Sequence, residues 1–220
     1  MIKATESLDR LIEGNHRFVS LTRGARSPDN KTRLDDLGPV QEPFAIILGC
    51  SDSRVPAEIV FDQGLGDLFV IRVAGNIVAP SQVGSVEFAA EQFGTRLVVV
   101  MGHSECGAVT ATLEELVRPT TDRLHSIRSI VERISPSVRS LLDTNLRDDP
   151  EALLKTAVRA NISAAANHLR HGSPVLENLI QNDNLLVVGA EYSLSTGVVE
   201  FFDGVPANFR PPQLQDHTKN

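Results

Sequence analysis

FAIILGCSDSR, residues 44–54, decides the fold. Its first half is an apolar run bounded by Pro43 and Gly49, short enough for a strand and too uniformly apolar to carry a solvent face. Its second half crowds a thiol, a carboxylate and a guanidinium together where that run stops. A later stretch repeats the design: RLVVVMG (96–102) is apolar, ends in a glycine and opens into His103, Ser104, Glu105 and Cys106. The chain holds 2 cysteines in all, so Cys50 and Cys106 each stand just beyond the end of a strand.

Working outward, DLFVIRV (67–73) and NLLVVGAEY (184–192) are further apolar runs of strand length, and GVVEFFD (197–203) reads as an edge strand. Helical patterns fill the intervals. Residues 4–22 place Leu8, Leu11, Ile12 and Phe18 near helical spacing; 81–94, 107–117, 122–134, 150–171 (stopped by Gly172) and 174–182 follow. Strands alternating with helices predict an α/β fold: a single domain with a mostly parallel central sheet, four parallel strands plus an edge strand, flanked by helices. No linker divides it. The domain spans 1–209, with 1–35 as an N-terminal helical arm and polar connection, and 210–220 reads as a flexible tail. In open α/β sheets ligands bind beyond the carboxyl ends of the strands, so Cys50 and the His103-to-Cys106 stretch are expected to meet at one sheet edge.

Composition removes several function classes. A net charge of −7, with no basic stripe, argues against nucleic acid or an anionic membrane surface as partner. No segment approaches the roughly 20 apolar residues that span a bilayer. The N-terminus reads as an amphipathic helix, not a signal peptide, which makes the cytoplasm the expected compartment and a disulfide unexpected. The sequons at Asn30 and Asn161 carry no meaning there.

Two thiolates and one imidazole are a donor set suited to tetrahedral zinc, and three protein ligands leave the fourth position for water, as in a catalytic site. The competing reading treats both cysteines as small buried hydrophobes and Gly102-His103 as a turn. The joint occurrence of Cys-x-Asp-x-Arg and His-x-x-Cys, each after a strand, favours the metal.

CSDSR (50–54) followed by GHSECGA (102–108) resembles the β-class carbonic anhydrase family. The likeness extends through 41–78 and 84–108, the N-terminal helix and the GVVEFFD strand. It implies a lyase that hydrates CO2 reversibly to bicarbonate and a proton, with one Zn2+ per chain on Cys50, His103 and Cys106 and with zinc-bound hydroxide attacking the carbon. Asp52 and Arg54 match the family's catalytic pair. A carboxylate held in an arginine fork accepts hydrogen bonds without donating them, so it admits a ligand that carries a proton. Gln41 matches a glutamine that hydrogen-bonds the bound species, and Phe69, Ala74 and Phe88 match an apolar substrate pocket. Ala74 stands where the family often has valine, and Phe88 where some members carry tyrosine. The resemblance further implies a homodimer, or a tetramer built as a dimer of dimers, with the active site at the dimer interface. It does not extend to the tryptophan of the bicarbonate pocket found in some members: that position is Ile47, although Gly49 and Tyr192 match the pocket's other residues.

Rival readings are a CS2 or COS hydrolase of the same fold and a non-catalytic zinc or redox-sensing protein. Gly64 and Gly66 read as a turn. His16, His125, His168, His171 and His217 lack metal-like spacing and read as surface residues.

Overall fold

The computed structural model describes residues 2–22, 40–119 and 125–212. Most of the polar connection at 23–39, the expected helix start at 122–124, Asn30, His217 and the tail from 213 onward lie outside the described residues. In chain order the elements are α1 (Ala4–Thr22), β1 (Ala45–Gly49), α2 (Ala57–Val60), β2 (Leu68–Arg72), α3 (Pro80–Gln92), β3 (Leu97–His103), α4 (Gly107–Val117), α5 (His125–Val138), α6 (Pro150–His171), α7 (Pro174–Asn182), β4 (Leu186–Tyr192) and β5 (Val199–Asp203). Short 3-10 turns at Ala74–Asn76, Arg139–Asp143 and Asn145–Asp148 were not anticipated from the sequence; neither was α2.

The five strands form one sheet in the order β2-β1-β3-β4-β5. The first four are parallel, and β5 runs antiparallel to β4. Strand direction explains the composition. A parallel strand needs a helical crossover, so helices cover both faces and no side chain is left for water. All residues of β1 and β3 are accordingly buried. Alternate residues serve opposite cores. Ile46, Leu48, Val98 and Val100 pack with α3, α4, α5, α6 and α7, while Ala45, Ile47, Val99 and Met101 pack with α1 and α2.

Two of these helices fix the site's surroundings. α6 begins at Asp149, whose carboxylate accepts from Ala152 N at 3.1 Å, with Pro150 in the first turn. It lies so close to the sheet that a Cβ on Gly102 would sit 2.6 Å from Ile162, and one on Gly189 would sit 2.9 Å from the same side chain. Both strands thin to glycine to admit Ile162. On the other face, α1 is fastened to its own domain: Leu8 and Leu11 are fully buried, and Asn15 donates to Val60 O and Gly197 O and accepts from Val199 N.

β2 forms the outer edge of the parallel part of the sheet. Leu65, in the turn before it, and Phe88, which packs on Phe69, are exposed at 54% and 51%. Among the described residues no helix is long and apolar enough to cross a membrane.

Candidate metal centre

The chain runs from β1 outward to β2 and then returns to the other side of β1 as β3, so the topological switch point lies between β1 and β3. The backbone diverges there and leaves a crevice at the carboxyl ends. Cys50 is the first residue after β1, His103 is the last residue of β3, and Cys106 directly precedes α4. The apolar run ends at Gly102, but the strand continues one residue further: His103 belongs to it, paired in register with Tyr192 of β4. That register holds its imidazole more firmly than a loop would.

Cys50, His103 and Cys106 are the one group among the described residues whose potential metal-ligating atoms gather, all within 4.8 Å of one another. Zinc at ordinary Zn–S and Zn–N lengths needs tetrahedral edges of about 3.5–3.8 Å, which small side-chain adjustments supply. All three residues are buried, and neither cysteine is in a disulfide.

The imidazole is set up as a ligand. His103 Nδ1 lies 2.8 Å from Ser104 O, and a carbonyl can only accept, so Nδ1 carries the hydrogen and Nε2 presents its lone pair. Nε2 is buried and has no hydrogen-bond partner among the described residues. An orphaned buried nitrogen is costly unless something satisfies it, and a metal does. Ser104 is fixed in turn, its N–H donating to Tyr192 O and its Oγ accepting from Leu194 N, both at 3.0 Å.

The thiols are tuned as a pair. The Cys50 thiol is held far below its ordinary value, first by the hydrogen bond with Cys106, against the opposing effect of burial, and further by His103 and the N–H groups of Asp52 and Gly75. Cys106 is pushed up by the same hydrogen bond and by burial. The Ala108 and Val109 amides favour its thiolate, although its side chain makes no capping bond within α4. Zinc binds cysteine as thiolate, so metal binding at this pair would release the protons the thiols carry. Burial opposes charging His103, yet the neighbouring Cys50 and the Ser104 carbonyl raise it overall.

Asp52 stands beside this group, with Oδ2 3.8 Å from His103 Nε2. Arg54 grips it in a fork, Nε to Oδ1 at 3.0 Å and Nη2 to Oδ2 at 2.8 Å, while the Arg54 N–H adds a third bond at 2.9 Å. The Arg54 side chain therefore holds the carboxyl well below the usual carboxylate range. The result is an aimed, ionised, acceptor-only group.

Arg72 was missed in the sequence. It donates from Nε to Cys50 O at 3.1 Å and from Nη2 to Asp52 O at 2.5 Å, clamping the loop that carries both residues. A lone arginine closing the apolar run DLFVIRV was the available signal. Gly75 was missed as well: its N–H donates to Cys50 Sγ at 3.3 Å.

The expected pocket residues are dispersed within one chain. Ala74 adjoins Gly75 and so borders the metal group. Phe69 lies opposite Ile46, towards the amino end of the strands, and packs with Phe88 and Phe93 at ring distances of 6.4 and 6.1 Å. Gln41 is exposed ahead of β1 and lines a groove of about 490 Å³ with Phe93. Gln41 and Cys50 thus stand at opposite ends of one strand. His168 and His171 are exposed and His16 is half-buried; none joins the metal group. Gly64 and Gly66 lie in an irregular turn before β2.

The family profile described as carbonic anhydrase matches residues 45–199. Carbonic anhydrase 2 of Mycobacterium tuberculosis is 38% identical over 191 residues, covering 85% of this chain and 87% of that protein. A carbonic anhydrase of Mycolicibacterium smegmatis is 36% identical over 192 residues, covering 86% and 89%. Among solved structures, the β-carbonic anhydrase CcaA superposes with a TM-score of 0.72 at 28% identity, covering 96% of this chain and 94% of that one.

Proposed function

The chain belongs to the β-class carbonic anhydrase family, and on that premise we propose that it catalyses the reversible hydration of CO2 to bicarbonate with one zinc ion per chain. The observation that carries this reading is the convergence of Cys50 Sγ, His103 Nε2 and Cys106 Sγ at the β1/β3 switch point, with Nε2 buried and otherwise unpartnered among the described residues. When bound there, zinc supplies the Lewis acidity that makes water a nucleophile near neutral pH.

The chain's own residues do the rest. Asp52 accepts a hydrogen bond from the attacking water and so turns an oxygen lone pair towards the carbon of CO2. Because it stays ionised it has no proton to give, and it favours occupants of the site that bring one. Arg54 keeps it charged and aimed. The small side chain of Ala74 leaves room beside the metal for a linear, apolar substrate.

Gln41, Phe69 and Phe88 complete the pocket in this reading, but across a homodimer contact and not within one chain. The exposed Phe88 and Leu65 and the edge position of β2 among the described strands support such a contact, because apolar surface beside an edge strand favours association. A dimer of dimers is the further assembly we assign. The compartment is the cytoplasm, where thiolate ligands stay reduced.

Stopped-flow hydration of CO2 by zinc-loaded protein tests the reading, with Cys106→Ser as control. Fast hydration lost in the variant is the expected result. Full zinc occupancy without hydration would overturn it; turnover of CS2 or COS by that protein would then identify the rival hydrolase, and no turnover the non-catalytic zinc protein.

A further inference from the structure

Asn161 sits in the middle of α6 among the buried Val158, Ile162 and Ala165, and is itself only 4% exposed. A buried amide destabilises a core unless it is hydrogen-bonded, so its presence in an apolar stripe needs a cause. Its Nδ2 donates to Gly75 O at 2.8 Å. Gly75 has a left-handed backbone (φ 69°, ψ 20°) and is followed by Asn76, also at positive φ. Such consecutive left-handed residues persist only where the surroundings hold them. Here three helices do so: a Cβ on Gly75 would lie 2.8 Å from Ile134 of α5 and 3.0 Å from Ala108 of α4, and α6 supplies Asn161 to the carbonyl. The outcome is that the Gly75 N–H points at Cys50 Sγ, 3.3 Å away.

We propose that Asn161 is a positioning residue for the metal centre: by holding the Gly75 carbonyl it keeps the Gly75 N–H on the Cys50 sulfur, and so sets how strongly that sulfur donates to the metal. The proposal rests on the reading of Cys50 as a metal ligand. A hydrogen bond to a coordinating sulfur withdraws charge from it, and groups outside the ligand set tune the metal through such bonds. The two sulfurs differ in this respect. The Gly75 N–H is bonded to the Cys50 sulfur, whereas the Cys106 side chain makes no capping bond within α4. The effect of Asn161 is therefore confined to Cys50.

The test uses cobalt-substituted protein, whose sulfur-to-cobalt charge-transfer band reports sulfur donation without reference to turnover. Asn161→Asp is nearly isosteric and lacks the Nδ2 donor; Asn161→Leu removes the polar group altogether. Leu169→Ala, in the same helix and fully buried, controls for simple loss of packing. In both Asn161 variants the band moves to lower energy, and zinc affinity, measured against a competing chelator, changes by about 10-fold or more. Leu169→Ala lowers the melting temperature without moving the band. If Asn161→Leu does not fold, Asn161→Asp carries the test alone. A wild-type protein that binds cobalt without any sulfur band would remove the metal reading itself. A wild-type band that is unchanged in the Asn161 variants, with metal affinity matching Leu169→Ala, would overturn the positioning role and leave the metal reading intact.

Discussion

Gly49→Ala and Gly102→Ala place the same methyl group one residue ahead of Cys50 and His103, and the two substitutions should diverge. A Cβ at Gly102 would stand 2.6 Å from Cδ1 and Cγ1 of Ile162 and 3.2 Å from Asn76 Oδ1. Ile162 is fully buried and has no free direction in which to yield. Overpacking of this kind destabilises by about 1–3 kcal/mol, which for a chain of this size lowers the melting temperature by about 2–12 °C. A Cβ at Gly49 would meet only Met101, at 3.9 and 4.0 Å, which is ordinary contact. That variant loses backbone freedom mainly in the unfolded state, a gain of about 0.4–1 kcal/mol. Thermal unfolding followed by circular dichroism measures both. Ile162→Ala, which opens the space in front of Gly102, should recover part of the Gly102→Ala loss, so the double variant is less damaged than the sum of the singles. Equal melting temperatures for the two alanine variants, or strict additivity with Ile162→Ala, would refute this account of the packing behind His103.

Three further outcomes are expected. Asp52→Asn places a donor where an acceptor-only carboxylate stood and should lower kcat/KM for CO2 by about 10²–10⁴-fold at unchanged zinc content; retained activity would exclude Asp52 from the chemistry. Asp9, whose Oδ1 is buried without a partner among the described residues, has its pKa raised, first by burial and then by Glu13 and Glu6. A raised carboxyl favours the folded state below the ordinary value near about 3.9 and loses that advantage as pH rises through the folded value. Asp9→Asn should therefore raise the melting temperature at pH 7 and give no gain at pH 3. Phe88→Glu, which charges the exposed aromatic beside β2, should shift sedimentation towards the monomer, and an unchanged sedimentation coefficient would locate the contact elsewhere.

The parts of the molecule legible in the sequence were those that depend on one strand or one helix at a time. β1 and β3 could be read because parallel strands covered on both faces must be continuously apolar, and Cys50, His103 and Cys106 because polar donors directly after such runs have few other uses. α6 was legible from its periodicity and its stop at Gly172. What escaped was set by tertiary approach. Arg72 reaches back to the Cys50 and Asp52 carbonyls, and Asn161 reaches the Gly75 carbonyl from a helix far along the chain; a charge in an apolar run marks Arg72 as unusual, but neither spacing nor hydropathy names the partners of such bonds. Gln41 and Phe88 were legible only through the family resemblance: within a single chain Gln41 stands beyond the opposite end of β1 from Cys50, and Phe88 packs on Phe69 near the amino end of the strands, so their part in the site rests on the proposed homodimer.

The most direct test is a zinc titration of CO2 hydration, with metal-free protein receiving zinc in steps below and above one equivalent per chain. The account predicts that hydration rises in proportion to zinc and breaks sharply at one ion per chain, with no rise for Cys106→Ser. Hydration that is independent of added zinc, or a break at another stoichiometry, would contradict it.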